Sequence, residues 1–249
     1  MSAKRGRFQK EIRIGEGIVR NKILTGLPKA ECQNLFSRLE FVDLPLHSVL
    51  AEACENVQFG HFVNSGLASV LNLVANGRSV EVGLFGVDGF VGYPLVVGLR
   101  TSSTKIIMQV AGSAFRIRAR ELAASFKDCP VLRKTLQVEQ HVISMQASQV
   151  AACNRMHSID QRLARWLLMS QDTLGGDIVP LTQEFLSHML GTRRASVTVA
   201  AGILQKNGVI SYQRGVVVVK NRFALEKWTC ECYRAIVDQT QRWRSEAKD

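Results

Sequence analysis

The 249-residue sequence has no apolar run that approaches the length of a transmembrane helix. A helix that spans a bilayer needs about 18 to 20 consecutive apolar residues, so a membrane-embedded protein is not expected. The basic opening MSAKRGRFQK is not followed by the apolar segment of a secretory signal. We therefore expect a soluble cytoplasmic protein that has no membrane partner.

The sequence also has no CxxC pair among its six cysteines. Cys230 and Cys232 form the only close pair, and we expect them on one helix, where side chains two positions apart point away from each other. Scattered cysteines in a cytosolic chain are mostly small core residues. The five histidines show no ligand spacing on one element. We predict no metal site and no cofactor; a haem-ligating histidine stays open, although nothing in the sequence indicates one.

Catalytic patterns are missing as well. We find no paired carboxylates, nucleophile elbow, metal-ligand spacing or phosphate-binding loop, and therefore predict that the protein is not an enzyme. The formal net charge is +11 and the isoelectric point about 9.7. Such a balance favours an anionic partner, but basicity alone does not separate DNA, RNA and an acidic membrane surface.

Residues 181–206, LTQEFLSHMLGTRRASVTVAAGILQK, have the pattern of two short helices around a glycine. Thr182 can cap the first helix and Thr192 the second, because a threonine hydroxyl can accept a hydrogen bond from a free backbone N–H. Gly191 supplies the backbone freedom of a sharp turn. Polar side chains then point outward near the start of the second helix: Arg193, Arg194, Ser196 and Thr198. Guanidinium and hydroxyl groups there suit phosphates and base edges, as in a helix-turn-helix; a solvated αα-hairpin is the alternative.

A β-hairpin is predicted directly after the second helix. Two β-rich runs, residues 209–212 and 216–219, flank the short loop Gln213-Arg214-Gly215. A helix-turn-helix followed by a hairpin is a winged helix. Arg214 would lie at the wing tip, within reach of a phosphate, and Tyr212 completes the predicted DNA-binding set.

The N-terminal half has a different texture. Between residues 40 and 117, short apolar runs alternate with turn residues, which predicts an antiparallel β-barrel or jelly roll. The predicted turns are Asn64-Ser65-Gly66, Asn76-Gly77, Gly86-Val87-Asp88-Gly89 and Ala111-Gly112-Ser113. Among them Asn76-Gly77 is the strongest hairpin signal. Residues 1–14 are polar and basic, and we expect them to be mobile.

A long helix is predicted from Pro130 to about Met156. Apolar and small polar residues recur along it in steps of four and three: Val131, Thr135, Val138, Val142, Met145, Gln149, Ala152 and Met156. This heptad pattern favours pairing with a second helix, and hence a homodimer. The predicted interface consists of Val138, Val142, Met145, Gln149 and Ala152. An amphipathic helix packed on its own barrel is the alternative.

Three further predictions concern the C-terminal region. Ser158 and Gln161 form a capping box for the next helix. Residues 172–180 are expected to form a polar loop, and residues 224–244 a final helical stretch.

A barrel, a long heptad helix and a winged helix in this order resemble the Crp/Fnr family of bacterial transcription regulators. The most specific segments are HSIDQRLARWLL, LTQEFLSHMLGTRRASVTVAAGILQ and GVISYQRGVVVV. The resemblance implies an α+β fold, with an N-terminal antiparallel β-barrel or jelly roll, a long dimerisation helix and a C-terminal winged helix-turn-helix. The expected regions are a basic mobile N-terminus (1–14), a cyclic-nucleotide-binding-like sensor barrel (15–128), the dimerisation helix (129–156) and the DNA-binding domain (157–249).

Two departures from the family pattern concern specificity. Members that bind cyclic nucleotides carry Gly-Glu and then an Arg followed by a small hydroxyl residue. Here Tyr93 stands at the position of the Glu, Ser103 stands near that of the Arg, and Arg100 is out of register. A buried phosphate without its bidentate Arg loses its main stabiliser, so cyclic AMP is not expected. In the recognition helix, Ala195 and Val199 replace a base-reading Glu and Arg of the cyclic-AMP receptor.

Any effector is expected to be apolar or uncharged, because Phe90, Val91, Tyr93 and Leu95 dominate the matching segment. The predicted effector pocket consists of Gly89, Phe90, Val91, Gly92, Tyr93, Arg100, Ser103 and Thr104.

The leading hypothesis is a sequence-specific, homodimeric transcription regulator on a near-palindromic double-stranded DNA site, with RNA polymerase as a further partner to consider. The alternative is a ligand-gated adaptor whose winged helix binds protein. Arg193, Arg194 and Arg214 on one face favour DNA, since a protein-binding wing needs no guanidinium cluster there.

Overall fold

An antiparallel sheet dominates the N-terminal half of the computed structural model, which describes residues 12–74 and 79–247. Before the long helix, the strands of the described residues are β1 (Arg13–Ile14), β2 (Gly17–Ile18), β3 (Glu40–Leu44), β4 (Val49–Ala51), β5 (Phe59–Leu73), β6 (Ser79–Phe85), β7 (Phe90–Val91) and β8 (Lys105–Arg118). The main sheet has the order β3-β8-β5-β6, with β4 paired to β8 and β7 to β5. Strands β1 and β2 form a separate hairpin, so Arg13 and Ile14 are ordered in a region that we expected to be mobile.

Short helices cover the ends of this sheet: α1 (Lys22–Thr25), α2 (Lys29–Phe36), α3 (Tyr93–Val96) and α4 (Ala119–Ser125). Asn21 joins the first of them to the sheet. Its Oδ1 accepts hydrogen bonds from the N–H groups of Ile23 and Leu24, which caps α1. Its Nδ2 donates to the carbonyls of Val63 and Gly89 at 2.8 and 3.0 Å. This buried side chain thus uses both ends of its amide.

Two predicted turns are wrong, because both lie inside long strands. Asn64-Ser65-Gly66 is part of β5, and Ala111-Gly112-Ser113 is part of β8. The strands pair with each other, and their register shifts around Ser65. Gly66 has φ 84°, and a Cβ atom on Gly112 would lie 2.0 Å from the carbonyl oxygen of Ser65. The glycines therefore permit a bulge with close backbone approach rather than a chain reversal. The Asn76-Gly77 turn lies outside the described residues.

The long helix α5 (Pro130–Met156) was predicted with nearly the same limits. After it come α6 (Ile159–Leu174), β9 (Ile178–Pro180), α7 (Gln183–Met189), α8 (Arg194–Lys206), β10 (Ile210–Gln213), β11 (Val216–Val219), α9 (Arg222–Trp228) and α10 (Cys232–Glu246). The predicted fold class is confirmed: an antiparallel sheet, a long helix and a C-terminal helix-turn-helix. None of the helices in the described ranges has the length and apolar character needed to cross a membrane.

Two details of the C-terminal region differ from expectation. The predicted loop at residues 172–180 contains β9, which pairs with β11 and widens the wing to three strands. The predicted helical stretch at 224–244 is two helices, because the extended backbone of Thr229 ends α9. The predicted capping box is confirmed: the N–H of Ser158 donates to Oε1 of Gln161 at 3.2 Å.

Helix α5 packs against its own chain through a face that lies next to the predicted dimer seam. Its buried residues are Leu132, Leu136, Glu139, Val142, Val150 and Cys153. Val142 is only 1% exposed, and Nε2 of Gln149 donates to Sγ of Cys232 at 3.1 Å. At these two positions the predicted interface residues contact their own chain. Val138 and Met145 are half-buried, and Ala152 is exposed.

The C-terminal region packs directly on the sheet. One apolar core combines sheet residues with residues of the later helices, among them Leu67, Leu71, Leu84, Leu163, Trp166 and Leu190. Inside this contact lies Glu81 of β6. Its Oε1 accepts a hydrogen bond from the indole N–H of Trp166 at 2.6 Å, and its Oε2 accepts one from the hydroxyl of Ser69 at 2.5 Å. Burial raises the pKa of Glu81 from 4.5 to about 7, although both hydrogen bonds and Arg165 oppose the rise.

This carboxyl group predicts a pH-dependent stability. Because its pKa is higher in the folded than in the unfolded chain, the folded state binds more protons between about pH 4.5 and 7. The contribution of Glu81 to the free energy of unfolding is therefore fully present below this window. It falls as the pH rises through the window, by roughly 3 kcal/mol at most. Glu81→Gln, which still offers an acceptor to Trp166, should remove this dependence.

The measurement is denaturant unfolding of wild type and variant at several pH values. The quantity of interest is the difference between their free energies of unfolding at each pH. This difference cancels the contribution of His61, whose pH dependence has the opposite sign. Burial lowers its pKa from 6.5 to about 4, so its contribution rises with pH over that range. A difference between the two proteins that stays constant from pH 4.5 to 7 would show that Glu81 titrates normally.

Candidate DNA-binding surface

The turn between α7 and α8 is built from short-range hydrogen bonds. Oγ1 of Thr182 accepts a hydrogen bond from the N–H of Phe185 at 3.2 Å and caps α7, as predicted. Gly191 has φ 57°, the left-handed conformation that the sharp turn needs. The N-cap of α8 is Arg193 and not Thr192, whose N–H donates instead to the carbonyl of Ser187. The side chain of Arg193 makes no capping hydrogen bond, so the first turn of α8 lacks the acceptor that an N-cap side chain usually supplies.

Helix α8 has one buried and one exposed face. Val197, Ala200, Ala201 and Leu204 are buried against the domain core. Arg193, Arg194, Ala195 and Thr198 are exposed, Ser196 is half-buried, and Val199 is 64% exposed. The hydroxyl of Thr198 donates to Oε1 of Gln183 at 2.9 Å and so joins the two helices. The outer face of α8 therefore begins with two guanidinium groups and continues with small apolar side chains.

The wing turn has positive φ angles at two successive residues, one of which is not a glycine. Arg214 and Gly215 have φ angles of 49° and 78°, between the paired residues Gln213 and Val216. Two successive left-handed residues are the signature of a type I′ hairpin turn. Tyr212 fixes the wing, since its hydroxyl donates to the carbonyl of Leu181 at 3.0 Å. Partial burial raises the pKa of this phenol, and the charge of Arg194 opposes the rise.

A groove of about 340 Å³ separates the helix-turn-helix from the wing. Its lining contains Thr182, Gln183, Arg194, Tyr212, Arg214 and Gly215. Four of the predicted DNA-binding residues therefore share one concave surface. The other four, Thr192, Arg193, Ser196 and Thr198, lie outside its lining on the turn and on the first turns of α8.

The residues of the predicted effector pocket differ in their exposure. Phe90, Val91 and Tyr93 are buried, with ring centroids 5.6 Å apart for Phe90 and Tyr93. Phe90 packs against Phe62 with ring centroids 4.7 Å apart, whereas Tyr93 also borders a cavity that is described below. Arg100 and Ser103 are exposed, and the hydroxyl of Ser102 donates to the carbonyl of the half-buried Thr104. An effector pocket in this segment stays a prediction.

A cavity of about 430 Å³ lies beside that segment between the sheet, α5 and α10. Gly89 and Tyr93 are the members of the predicted pocket that line it. Its wall also contains Glu139, Asp88 and Arg244. The guanidinium of Arg244 contacts both carboxylates, at 2.7 Å to Glu139 and 3.0 Å to Asp88. The wall of this cavity therefore carries charged as well as apolar side chains, and an apolar or uncharged effector stays a prediction.

A cluster of potential metal ligands lies where α5 ends and α10 begins. We call Cys153, His157, Cys230 and Cys232 the junction cluster; their ligand atoms all lie within 4.8 Å of one another. Sγ of Cys153 is 3.5 Å from Sγ of Cys230, and Sγ of Cys232 is 3.6 Å from Nδ1 of His157. The three cysteines are buried together.

Sequence reasoning missed this cluster because it placed Cys230 and Cys232 on one helix. Cys230 instead lies in the turn before α10, and Cys232 is the first residue of that helix, so both side chains can point the same way. A usable signal existed: Cys153 and His157 are four residues apart at the end of a predicted helix, on one face.

Comparisons with known proteins identify a related domain family and similar folds. Residues 161–228 match the Crp-like helix-turn-helix domain. No curated protein matches the sequence. Among solved structures, the c-di-GMP-responsive regulator CLP of Xanthomonas campestris has 16% identity and a TM-score of 0.65, over 77% of this chain and 99% of that one. FixK2 of Bradyrhizobium japonicum has 13% identity and a TM-score of 0.66, over 77% and 98%.

A third structure is described as a crp/fnr-family transcriptional regulator of Eubacterium rectale. It has 16% identity and a TM-score of 0.62, over 84% of this chain and 98% of that one. Residues 161–228 therefore form a Crp-like helix-turn-helix domain, and the chain has the Crp/Fnr fold that its sequence resembles.

Proposed function

We propose that the protein is a sequence-specific DNA-binding transcription regulator of the Crp/Fnr type. The observation that supports it best is the groove in which Arg194 of the recognition helix and Arg214 of the wing share one exposed surface with Thr182. This surface is long, positively charged and flanked by a hairpin, as a duplex requires. Acting on DNA would place the protein in the cytoplasm, with RNA polymerase as a further partner.

Each polar group on the surface has a specific role in this proposal. Arg194 reads a guanine edge in the major groove, because a guanidinium fork fits the O6 and N7 acceptors. Arg193, Thr182 and Arg214 bind backbone phosphates. The uncapped start of α8 adds amide donors and the positive end of a helix dipole to the phosphate contact.

The apolar side chains of the recognition helix restrict which base pairs we expect in the DNA site. Ala195 and Val199 are one turn apart on the exposed face of α8. Apolar side chains in the major groove contact the C5-methyl group of thymine. We therefore propose a half-site with a guanine next to A·T pairs whose thymine methyl groups face α8.

Two arginine substitutions distinguish base reading from phosphate binding. Arg194→Ala should cost about 1–3 kcal/mol on the preferred site and flatten discrimination at one base pair per half-site. Arg214→Ala should weaken binding to every sequence alike and reduce the salt slope by about 1 per protomer. The measurement is a fluorescence-anisotropy series over site variants and salt concentrations.

Arg120→Ala is the matched control, because it removes the same charge from an exposed position on the N-terminal region. It should leave both the site preference and the salt slope unchanged. Equal losses on all sequences for Arg194→Ala would assign that side chain to a phosphate and leave base reading to Ser196 or Thr198. Absence of any salt-dependent DNA binding would favour the adaptor alternative.

The proposal includes a homodimer paired through the open side of α5. The single chain buries Val142 but leaves Val131 41% and Met156 75% exposed. Together with Val138 and Met145, these residues form an apolar stripe beside the face that packs on the sheet. Two recognition helices spaced by about one helical turn of DNA, ~34 Å, would then read a two-fold-related site.

Val138→Glu combined with Met145→Glu should produce a monomer. The dimer would bring four like charges into one interface, at a cost of several kcal/mol. Sedimentation velocity at micromolar concentration is the measurement. The control is Gln137→Glu with Ser144→Glu, two exposed positions on another side of α5. A double variant that still sediments as a dimer would place the interface elsewhere.

Cyclic AMP is not the effector in this proposal. Tyr93 is buried at the position of the ribose-binding Glu of the family, and Ser103 stands exposed near that of the phosphate-binding Arg. The cavity beside Tyr93 already holds Arg244 against two carboxylates, whose charge would repel a phosphate. Calorimetric titration with cyclic AMP should show no binding at micromolar concentration, and a clear isotherm there would contradict this.

A further inference from the structure

The junction cluster joins two parts of the chain that are distant in sequence. Cys153 lies in the last turn of α5, and His157 is the residue that ends this helix. Cys230 and Cys232 come from the turn before α10 and from its first position. The four ligand atoms converge within 4.8 Å, although nearly eighty residues separate the two pairs. Such convergence of three thiols and an imidazole indicates a shared ligand.

We propose that the junction cluster binds one Zn²⁺ ion in a tetrahedral Cys₃His site. Zinc takes four thiolate and imidazole ligands in structural sites, and Cys₃His is one of the common sets. The site would fasten α10 to the end of α5. This proposal does not depend on DNA binding, because it concerns a part of the chain away from the recognition surface.

The distances fit a single ion. With Zn–S bonds of about 2.3 Å and Zn–N bonds of about 2.0 Å, the edges of a tetrahedral site are roughly 3.8 Å between sulfurs and 3.5 Å between sulfur and nitrogen. The Cys153–Cys230 and Cys232–His157 distances are 3.5 and 3.6 Å. Small side-chain rotations would complete the tetrahedron. Iron–sulfur clusters are more often held by four thiolates, and the close spacing here leaves no room for several irons.

The neighbouring groups favour ligation. Nε2 of His157 lies 3.1 Å from a carboxylate oxygen of Glu231, so the histidine can donate there and keep Nδ1 free for the ion. This is the carboxylate–histidine–zinc arrangement that orients many zinc ligands. Nε2 of Gln149 donates to Sγ of Cys232, a contact that supports a thiolate.

The charge balance also fits. Three thiols release three protons to solvent when the ion binds, so the site carries Zn²⁺ and three thiolates with a net charge of −1. Arg165 and Arg162 on α6 both interact electrostatically with Cys153. Among the described residues, Nε of Arg165 has no hydrogen-bond partner. A guanidinium beside the cluster would compensate the negative charge of the loaded site.

Anaerobic cobalt titration tests the proposal on the full chain. The protein is reduced, stripped with a chelator and titrated with Co²⁺ alone. We expect the charge-transfer and d–d absorption of tetrahedral thiolate-bound cobalt, saturating at one ion per chain. Zn²⁺ should then bleach these bands, because it binds nitrogen and sulfur sites more tightly than Co²⁺. Thermal unfolding should shift upward with added Zn²⁺ in the same protein.

Variants assign the ligands. Cys230→Ser should lose the thiolate bands, and Cys54→Ser, an exposed cysteine outside the cluster, should keep them. His157→Cys retains four ligands and should still bind, with a spectrum shifted towards that of an all-thiolate site. Glu231→Gln should weaken binding by about tenfold, as expected for a partner that orients a ligand.

Three outcomes would overturn the proposal. The first is a reduced, folded protein that shows no cobalt bands. The second is metal binding that survives in Cys230→Ser with its absorption unchanged. The third is a Cys153–Cys230 disulfide, found by mass spectrometry in air, in a protein that takes up no metal after reduction. The last result would identify the pair as a redox couple instead.

Discussion

The contact between Glu81 and Trp166 ties the helix-turn-helix region to the sheet. A carboxyl group is costly to bury, and this one is tolerated because Trp166 and Ser69 each donate a hydrogen bond to it. Leucines of the sheet and of α6 surround the pair in one common core. On the same strand, Val80 lies against Gly191, where an added Cβ would approach its side chain to 3.3 Å. Strand β6 therefore fixes both α6 and the turn before the recognition helix, so the direction of α8 depends on how the sheet is packed.

A second contact acts at the far end of the C-terminal region. Arg244 of α10 pairs with Glu139 of α5 and with Asp88, which lies in the turn after β6. Glu139 is buried, so its charge needs this guanidinium. The same ion pairs form part of the wall of the 430 Å³ cavity. A ligand that entered this cavity would compete for Asp88 or Glu139 and would act on α10 directly. The path from such a ligand to the recognition surface would therefore run through helix packing and not through the wing.

Local patterns in the sequence were sufficient at several places where neighbours in the chain determine the structure, although the cap predicted at Thr192 lies at Arg193. The capping box at Ser158, the cap at Thr182 and the wing turn at Arg214 each depend on residues within four positions. Sequence reasoning failed where a distant segment decides. Ser65 and Gly112 look like turn residues, and only their mutual approach across β5 and β8 makes them a bulge. At Phe90, the packing against Phe62 of β5 likewise depends on a segment that is distant in the sequence. The junction cluster requires a break between α9 and α10. The sequence around Thr229 contains no residue that predicts this break.

Helix α5 shows why one periodic pattern can have two meanings. Its buried residues Leu132, Leu136, Glu139, Val150 and Cys153 follow steps of four and three, or a sum of such steps, one position after the predicted seam. Two such rows differ by about 100° around a helix, so together they make one wide apolar stripe. Val142 lies at the border and is covered by its own chain, whereas Val131 and Met156 stay open. The apolar stripe of α5 is wider than the surface that packs on the sheet. Part of the stripe therefore stays exposed to solvent. The helix can therefore pack on the sheet with one edge and leave the other edge, with Val131 and Met156, accessible to a second copy.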